Sequence, residues 1–316
     1  MTPVASMSRL GVLPGDQAAR LRAIVAPVAA RMAPSRLRIV TVSSGKGGVG
    51  KTSIAVNLAI VFARAGKRAM LLDADLGMAN ADVLCGLTPA RRLDQTRSLR
   101  GAGEQHAISL ADIAIDAPGG FKLIPGAAGV ARVADLRPEE RLRFVRGLEE
   151  LDQHADILIV DTGAGLGAEI LMLMSLAHVA IVVATPEPTS VADAYALIKC
   201  ASLADAALRE CGSLNLVINE AKDGKEATAV HARIASVAHR FLGFQPGMLG
   251  WLPVDREVGL AVRRRRPLLV DDSKSLFSKG LQNIGAGLSK RFWSSGAEVK
   301  SERPHGIWAR LGLCRS

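Results

Sequence analysis

The sequence predicts an α/β fold, doubly wound about a mostly parallel sheet with helices on both faces. Three observations predict it. Apolar runs of strand length recur along the chain, helical patterns separate most of them, and a glycine-rich loop joins the first run to the first helix. The runs are "LRIVTVS" (37–43), "RAMLLDAD" (68–75), "FKLIPG" (121–126), "DILIVDT" (156–162), "VAIVVATP" (179–186), "LNLVINE" (214–220) and "GMLGWLP" (247–253). None alternates cleanly between apolar and polar residues, as expected of strands covered on both faces.

Between them, "KTSIAVNLAIVFARAG", "PEERLRFVRGLEEL" and "TSVADAYALIKCASLADAALREC" carry helical spacing. Residues 86–135 are less regular, with glycines and scattered charge, and predict loops with a short hairpin. The most lipid-like run, "AEILMLMSLAHVAIVVATP" (168–186), is interrupted by Glu169, Ser175 and His178. Its second half is β-branched, which predicts a helix followed by a buried strand rather than a membrane span. The expected organisation is an N-terminal segment (1–36), one nucleotide-type domain (37–293), a linker (294–305) and a short amphipathic tail (306–316).

Composition sets further bounds. At 316 residues and 49% hydrophobic, the chain can bury one substantial core. Cys85, Cys200, Cys211 and Cys314 lie far apart and form no C-x-x-C pair, which argues against a disulfide framework, a zinc site or an iron–sulfur centre within one chain. Residues 1–15 lack an apolar core segment of the signal-peptide kind, so the expectation is a reduced, cytoplasmic protein. The net charge of +10 is concentrated at the ends: residues 1–38 hold six arginines against one aspartate, and residues 256–316 hold 13 Lys/Arg against five Asp/Glu. Basic ends on a slightly acidic middle suit an anionic surface, phospholipid or nucleic acid; arginines that simply keep an apolar protein soluble are the alternative.

The chemistry is concentrated in "SSGKGGVGKTS" (43–53), which contains G-x-x-x-x-G-K-T. The loop residues Gly45, Gly47, Gly48, Val49, Gly50, Lys51, Thr52 and Ser53 lie between a strand and a helix. There, successive backbone N–H groups can wrap a polyphosphate while the helix directs its positive end at the anion. Lys51 would hold the β- and γ-phosphates, and Thr52 would place its hydroxyl on Mg²⁺. "LLDADLG" puts Asp73 and Asp75 at the end of the second strand run, and "ILIVDTGAG" puts Asp161 at the end of another. In an open parallel sheet these ends share an edge with the loop. Asp161, after four apolar residues, has the setting of a carboxylate that fixes a magnesium-bound water, and Gly163 and Gly165 behind it allow a switch segment to move. Lys46, a second lysine in the loop, is not needed by the phosphate-loop mechanics and could be merely solvated.

"GKGGVGKT" resembles the deviant Walker A motif of the MinD/ParA family of P-loop ATPases. The resemblance implies ATP/ADP and Mg²⁺ as cofactors and slow, regulatory hydrolysis. It implies that Lys46 reaches across an ATP-dependent homodimer to the other subunit's phosphates. It also implies that Asp75 orients the attacking water, Asp73 supports the magnesium shell, Asn219 contacts adenine, and Pro253 and Asp255 border the base.

Within the family, iron–sulfur carriers need paired cysteines, tyrosine-kinase members carry a C-terminal tyrosine cluster where this chain has only Tyr195, and arsenical-pump types usually carry two ATPase halves. "DADLGMANADVLCGLTP" (73–89) and "PEPTSVADAYALIK" (186–199) resemble the FlhG-type regulators of flagellar number, over most of residues 39–290. "DQAARLR" (16–22) resembles the short helix by which that group activates the signal-recognition-type GTPase FlhF, with matches at Asp16, Gln17, Ala18, Leu21 and Arg22. From the residues alone, Asp16 can cap a helix on which Ala18, Leu21 and Val25 form a narrow apolar stripe, with Gln17 off it. An amphipathic leader of any kind would supply the same stripe.

At the other end, Phe277, Leu281, Ile284, Leu288 and Phe292 share one helix face and predict packing on the core. In "GIWARLGLCRS", Ile307, Trp308, Leu311 and Cys314 share a face, which resembles the membrane-targeting helix of MinD and FlhG proteins; a disordered tail is the alternative. The implied partners are thus a second copy, an FlhF-type GTPase, flagellar C-ring components and the anionic inner face of the cell membrane, with the protein peripheral there when ATP is bound. A MinD-like division-site ATPase and a ParA-like DNA-binding scaffold remain as other readings. "RRRR" (263–266) is the main pointer to nucleic acid, the lesser expectation.

Overall fold

Each apolar run identified above becomes a strand of a single eight-stranded sheet in the computed structural model, which describes residues 36–75, 79–93, 108–126, 138–210, 212–272 and 274–293. The strands are β1 (Arg38–Ser44), β2 (Ala69–Ala74), β3 (Ile115–Asp116), β4 (Lys122–Ile124), β5 (Ile157–Ala164), β6 (Val179–Ala184), β7 (Leu214–Ala221) and β8 (Gly247–Pro253). Their order is β3-β4-β2-β5-β1-β6-β7-β8, parallel throughout except for the β3–β4 pair. That pair is the short hairpin expected in the irregular region.

The helices are α1 (Lys51–Arg64), α2 (Ala81–Leu84), α3 (Pro138–Glu150), α4 (Ala168–Leu176), α5 (Pro188–Ala204), α6 (Gly224–Leu242), α7 (Arg256–Arg263), α8 (Leu268–Asp271) and α9 (Leu276–Trp293). They cover both faces of the sheet. On one face Val40, Val42, Leu71, Ile159 and Ile181 meet α1 and α9; on the other Ile39, Leu72, Leu158, Val160 and Val182 meet α4 and α5. Because each side chain of a strand finds an apolar layer whichever way it points, no alternation shows in the sequence. Helix α4 is buried along its whole length from Ile170 to Leu176, which explains its lipid-like composition in a helix of only nine residues. Among the described residues no helix is long and apolar enough to cross a membrane.

The C-terminal helix packs as its spacing predicts. Phe277, Leu281, Ile284 and Leu288 are buried against α1 and β8, and Phe292 packs partly buried at its end. Trp293 stacks edge-on to Phe62, beneath the Lys67 ammonium at 4.2 Å from its ring centre. Beside it, the His178 ring lies 6.5 Å from that of Phe292 and accepts a hydrogen bond at Nδ1 from Ile39 N. Asp16, Gln17, Leu21, Arg22, Ile307, Trp308 and Leu311, and the linker between the C-terminal segments, lie outside the described residues.

Candidate nucleotide site

The central strand β1 is flanked by β5 and β6, so the loop that follows it opens at the middle of the sheet's C-terminal edge. Two glycines set its path: Gly48 has φ 78° and Gly50 φ 88°, in the left-handed region that side chains avoid. Gly45 is required for a different reason. A Cβ there would sit 2.1 Å from the carbonyl oxygen of Asp193, because α5 packs directly on the start of the loop. Ile54 N returns to Gly50 O at 3.0 Å, so α1 begins at the loop's last glycine and presents its free N–H groups to the concavity.

Lys51 is 8% exposed at the first residue of that helix. Burial lowers its pKa, while Asp161 and then Asp75 counter the shift by favouring the charged ammonium. A buried cation beside a ring of N–H donors is a demand for an anion.

Opposite it, the β2–β5 register sets Asp73 directly across from Asp161, both 1% exposed. Burial, then the neighbouring Asp73 charge, pushes the Asp161 carboxyl up to about 8. Thr52 favours its ionised form, yet neither carboxylate oxygen completes a hydrogen bond. A carboxylate that is fully buried, has two unpartnered oxygens and stands beside a helix-start hydroxyl is suited to a hard cation and its water. Thr52 and Asp161 are therefore the residues that would hold Mg²⁺, which on binding would neutralise the two aspartates and the polyphosphate together.

Asp73 differs from its neighbour. One oxygen accepts from Asp75 N at 3.2 Å and the other from Asn80 N and Ala81 N, each at 2.9 Å. Burial raises it to about 6 and these backbone bonds limit the rise. The geometry makes it the tether of the segment between β2 and α2, so any support it gives a metal shell is indirect. Asp75 follows at the strand end, with its Oδ1 3.4 Å from where a Cβ on Gly163 would lie. It thus faces the segment after Asp161, which is itself held to the loop by Gly165 N donating to Ser44 O at 2.9 Å.

Asn219 comes from the end of β7 and donates through Nδ2 to Val49 O at 2.9 Å, across the loop's base. Its Oδ1 is buried and unpartnered, an acceptor that could receive the exocyclic amine of a purine. The structure brings Asn219 to the loop; Pro253 closes the adjacent strand β8. Asp255 has a local task as the N-cap of α7, accepting from Glu257 N at 2.9 Å.

Lys46 is not in the cradle. Its Nζ donates to Glu187 Oε2 at 2.6 Å and to Thr189 Oγ1 at 3.1 Å, at the start of α5. Sequence reasoning missed these two partners. The available signal was an acid and a hydroxyl in "PEPTS", just past a strand that ends on the same sheet edge.

Comparison with known proteins identifies the family. Residues 37–210 match the family model described as an AAA domain. The chain is 36% identical over 230 residues to the antiactivator FleN of Pseudomonas aeruginosa, covering 73% of this chain and 78% of FleN. It is 30% identical over 284 residues to the flagellum site-determining protein YlxH of Helicobacter pylori, covering 87% and 89%. The fold superposes on the septum site-determining protein MinD of Pyrococcus horikoshii, solved with Mg-ADP, with TM-score 0.61 and 19% identity over 81% of this chain and 97% of that one. A complete phosphate loop at the switch of a parallel sheet, together with these relatives, places the chain in the FleN/YlxH branch of the MinD/ParA family of P-loop ATPases.

Proposed function

We propose that this ATPase is a slow, ATP-dependent dimerising switch that regulates the number or placement of flagella. It would do so by activating an FlhF-type GTPase through its N-terminal segment and by cycling between cytoplasm and membrane. The observation that carries the dimer is the position of Lys46. One buried lysine, Lys51, already serves the cradle, and Lys46 rests on its own chain's Glu187 and Thr189 at the rim, available to a second subunit. A lysine supplied in trans would neutralise residual phosphate charge only when two subunits meet, so nucleotide would act as glue and hydrolysis as release.

In the hydrolytic step, Lys51 and the loop N–H groups bind and orient the phosphates. Asp75, whose Oδ1 lies beside Gly163 in the segment after Asp161, holds the attacking water in line. Bound Mg²⁺ would supply charge neutralisation at Thr52 and Asp161. The name of YlxH, a flagellum site-determining protein, supports the flagellar assignment, that of the antiactivator FleN supports a regulatory role, and that of MinD keeps a division-site role as the nearest other reading.

The test is the GTPase rate of the same organism's FlhF-type protein with a peptide spanning residues 1–38, using Gln17→Ala as control. Stimulation lost in the variant supports the proposal; no stimulation of an active GTPase removes the partner from it. Vesicle sedimentation with and without Trp308→Glu tests the membrane arm.

A further inference from the structure

Helix α7 runs directly into four arginines. Arg264 N donates to Leu260 O at 2.9 Å, Arg265 N to Val262 O at 3.0 Å and Arg266 N to Ala261 O at 3.1 Å. This is the closing pattern of a helix whose next residue turns left-handed, a place where glycine is ordinarily found. Here the residue is Arg265, at φ 53°. The turn is also firmly seated. A Cβ on Gly86 would lie 2.8 Å from Arg265 O, Leu268 and Leu269 are buried just beyond, and Leu269 N donates to Asn57 Oδ1 at 2.9 Å on α1. The backbone is rigid and would accept glycine, so the fold gains nothing from an arginine at this position.

The four side chains are all exposed. Arg266 pairs with Asp271 at 2.5 Å and Arg264 reaches Glu257 only at 3.9 Å. Arg263 and Arg265 have no ion pair among the described residues. Apolar surface adjoins them: Val262 is 44% exposed beside Arg263, and Val254, 68% exposed, lies eight residues earlier with half-buried Val258 between them.

We propose that the end of α7 is a docking surface for an acidic, amphipathic protein segment. The Arg263 and Arg265 guanidiniums would take its carboxylates, and Val262 would take its apolar side chains. A duplex backbone would satisfy the arginines and leave the valines uncovered. A bilayer would cover both, but α9, about 27 Å long by its 18 residues, separates its N-terminal end, which follows the turn, from Trp293, where the core ends. The inference is independent of the switch proposal.

The experiment uses the full chain and a fluorescein-labelled 18-residue peptide of glutamate and leucine, with leucines at helical spacing, followed by anisotropy at two salt concentrations. Arg265→Gly should raise the Tm by about 2 °C, because a Cβ leaves a left-handed position, and should weaken peptide binding at least fivefold. Arg263→Gln and Val262→Ser should each weaken it as well, with Tm unchanged. Three results would overturn the proposal. One is binding unaffected by Arg265→Gly, and another is lower Tm accompanying the loss. The third is tighter, Arg265-dependent binding to a 24-bp duplex, to phosphatidylglycerol vesicles or, by light scattering, to a second copy of the chain.

Discussion

Glycine 45 and lysine 46 are adjacent, and their environments make opposite demands. At Gly45 a single methyl group would enter the Asp193 carbonyl of α5, which is backbone and cannot swing aside. Gly45→Ala should therefore cost about 1–3 kcal/mol of stability by denaturant unfolding and displace the loop from nucleotide. Lys46 tolerates change: its ion pair with Glu187 is half exposed on one side and 62% exposed on the other, a setting in which such pairs contribute less than about 1 kcal/mol. Lys46→Ala should leave both the unfolding midpoint and nucleotide affinity nearly unchanged while abolishing the ATP-dependent dimer in size-exclusion chromatography. Equal loss of nucleotide affinity would make Lys46 an ordinary ligand of its own subunit's ATP.

Asp161 carries a pH signature at the same scale. Its carboxyl is raised in the fold, to about 8, so between the ordinary carboxylate range and pH 8 the folded chain binds the proton that the unfolded chain has released. Stability of the nucleotide-free protein thus falls as pH rises through that window. Asp161→Asn should melt at higher temperature than the parent at pH 8, with the gap closing towards pH 5, and should lose magnesium-dependent hydrolysis.

Elements were more legible than the contacts between them. All seven apolar runs are strands; in β1, β2, β5, β6 and β7 burial on two faces is written as continuous hydrophobicity, whereas the edge strand β8 is only partly buried. Helix α9 followed from the spacing of Phe277, Leu281, Ile284 and Leu288. Strand β3, Ile115–Asp116, has two residues and exists only by pairing with β4, so a short hairpin could be expected within residues 86–135 but not located. The same holds for the site. Loop glycines and strand-end aspartates could be read from spacing, whereas Glu187 beneath Lys46, Asp193 against Gly45 and the capping role of Asp255 are products of tertiary packing. Helix α6 illustrates a local signal: Asp223 accepts from Glu226 N at 2.8 Å while Glu226 Oε2 accepts from Lys222 N at 2.8 Å. Asp223→Ala should cost about 1 kcal/mol. Leu281→Ala, in the middle of the buried face of α9, should cost about 2–5 kcal/mol, and comparison of the two in urea would rank capping against packing.

For the whole molecule, the sheet sets two poles. The phosphate loop, Asp75, Asp161 and Asn219 gather where the parallel strands end, while the strands begin at the other pole. Hydrolysis and dimer release would be separated by Asp75→Ala, which should accumulate an ATP-dependent dimer; light scattering that shows only monomer with saturating Mg-ATP would contradict that role. The arrangement at the second pole has a practical consequence. Ile39 donates to the His178 ring and that ring packs edge-on to Phe292, so the first strand and the last helix of the core start and finish one imidazole apart. A chain re-cut at the exposed Gly243, with residues 36 and 293 joined by a short glycine–serine linker, keeps every strand neighbour and the entire loop. Such a circular permutant should fold and bind nucleotide, giving an ATPase whose core carries neither of its native terminal segments.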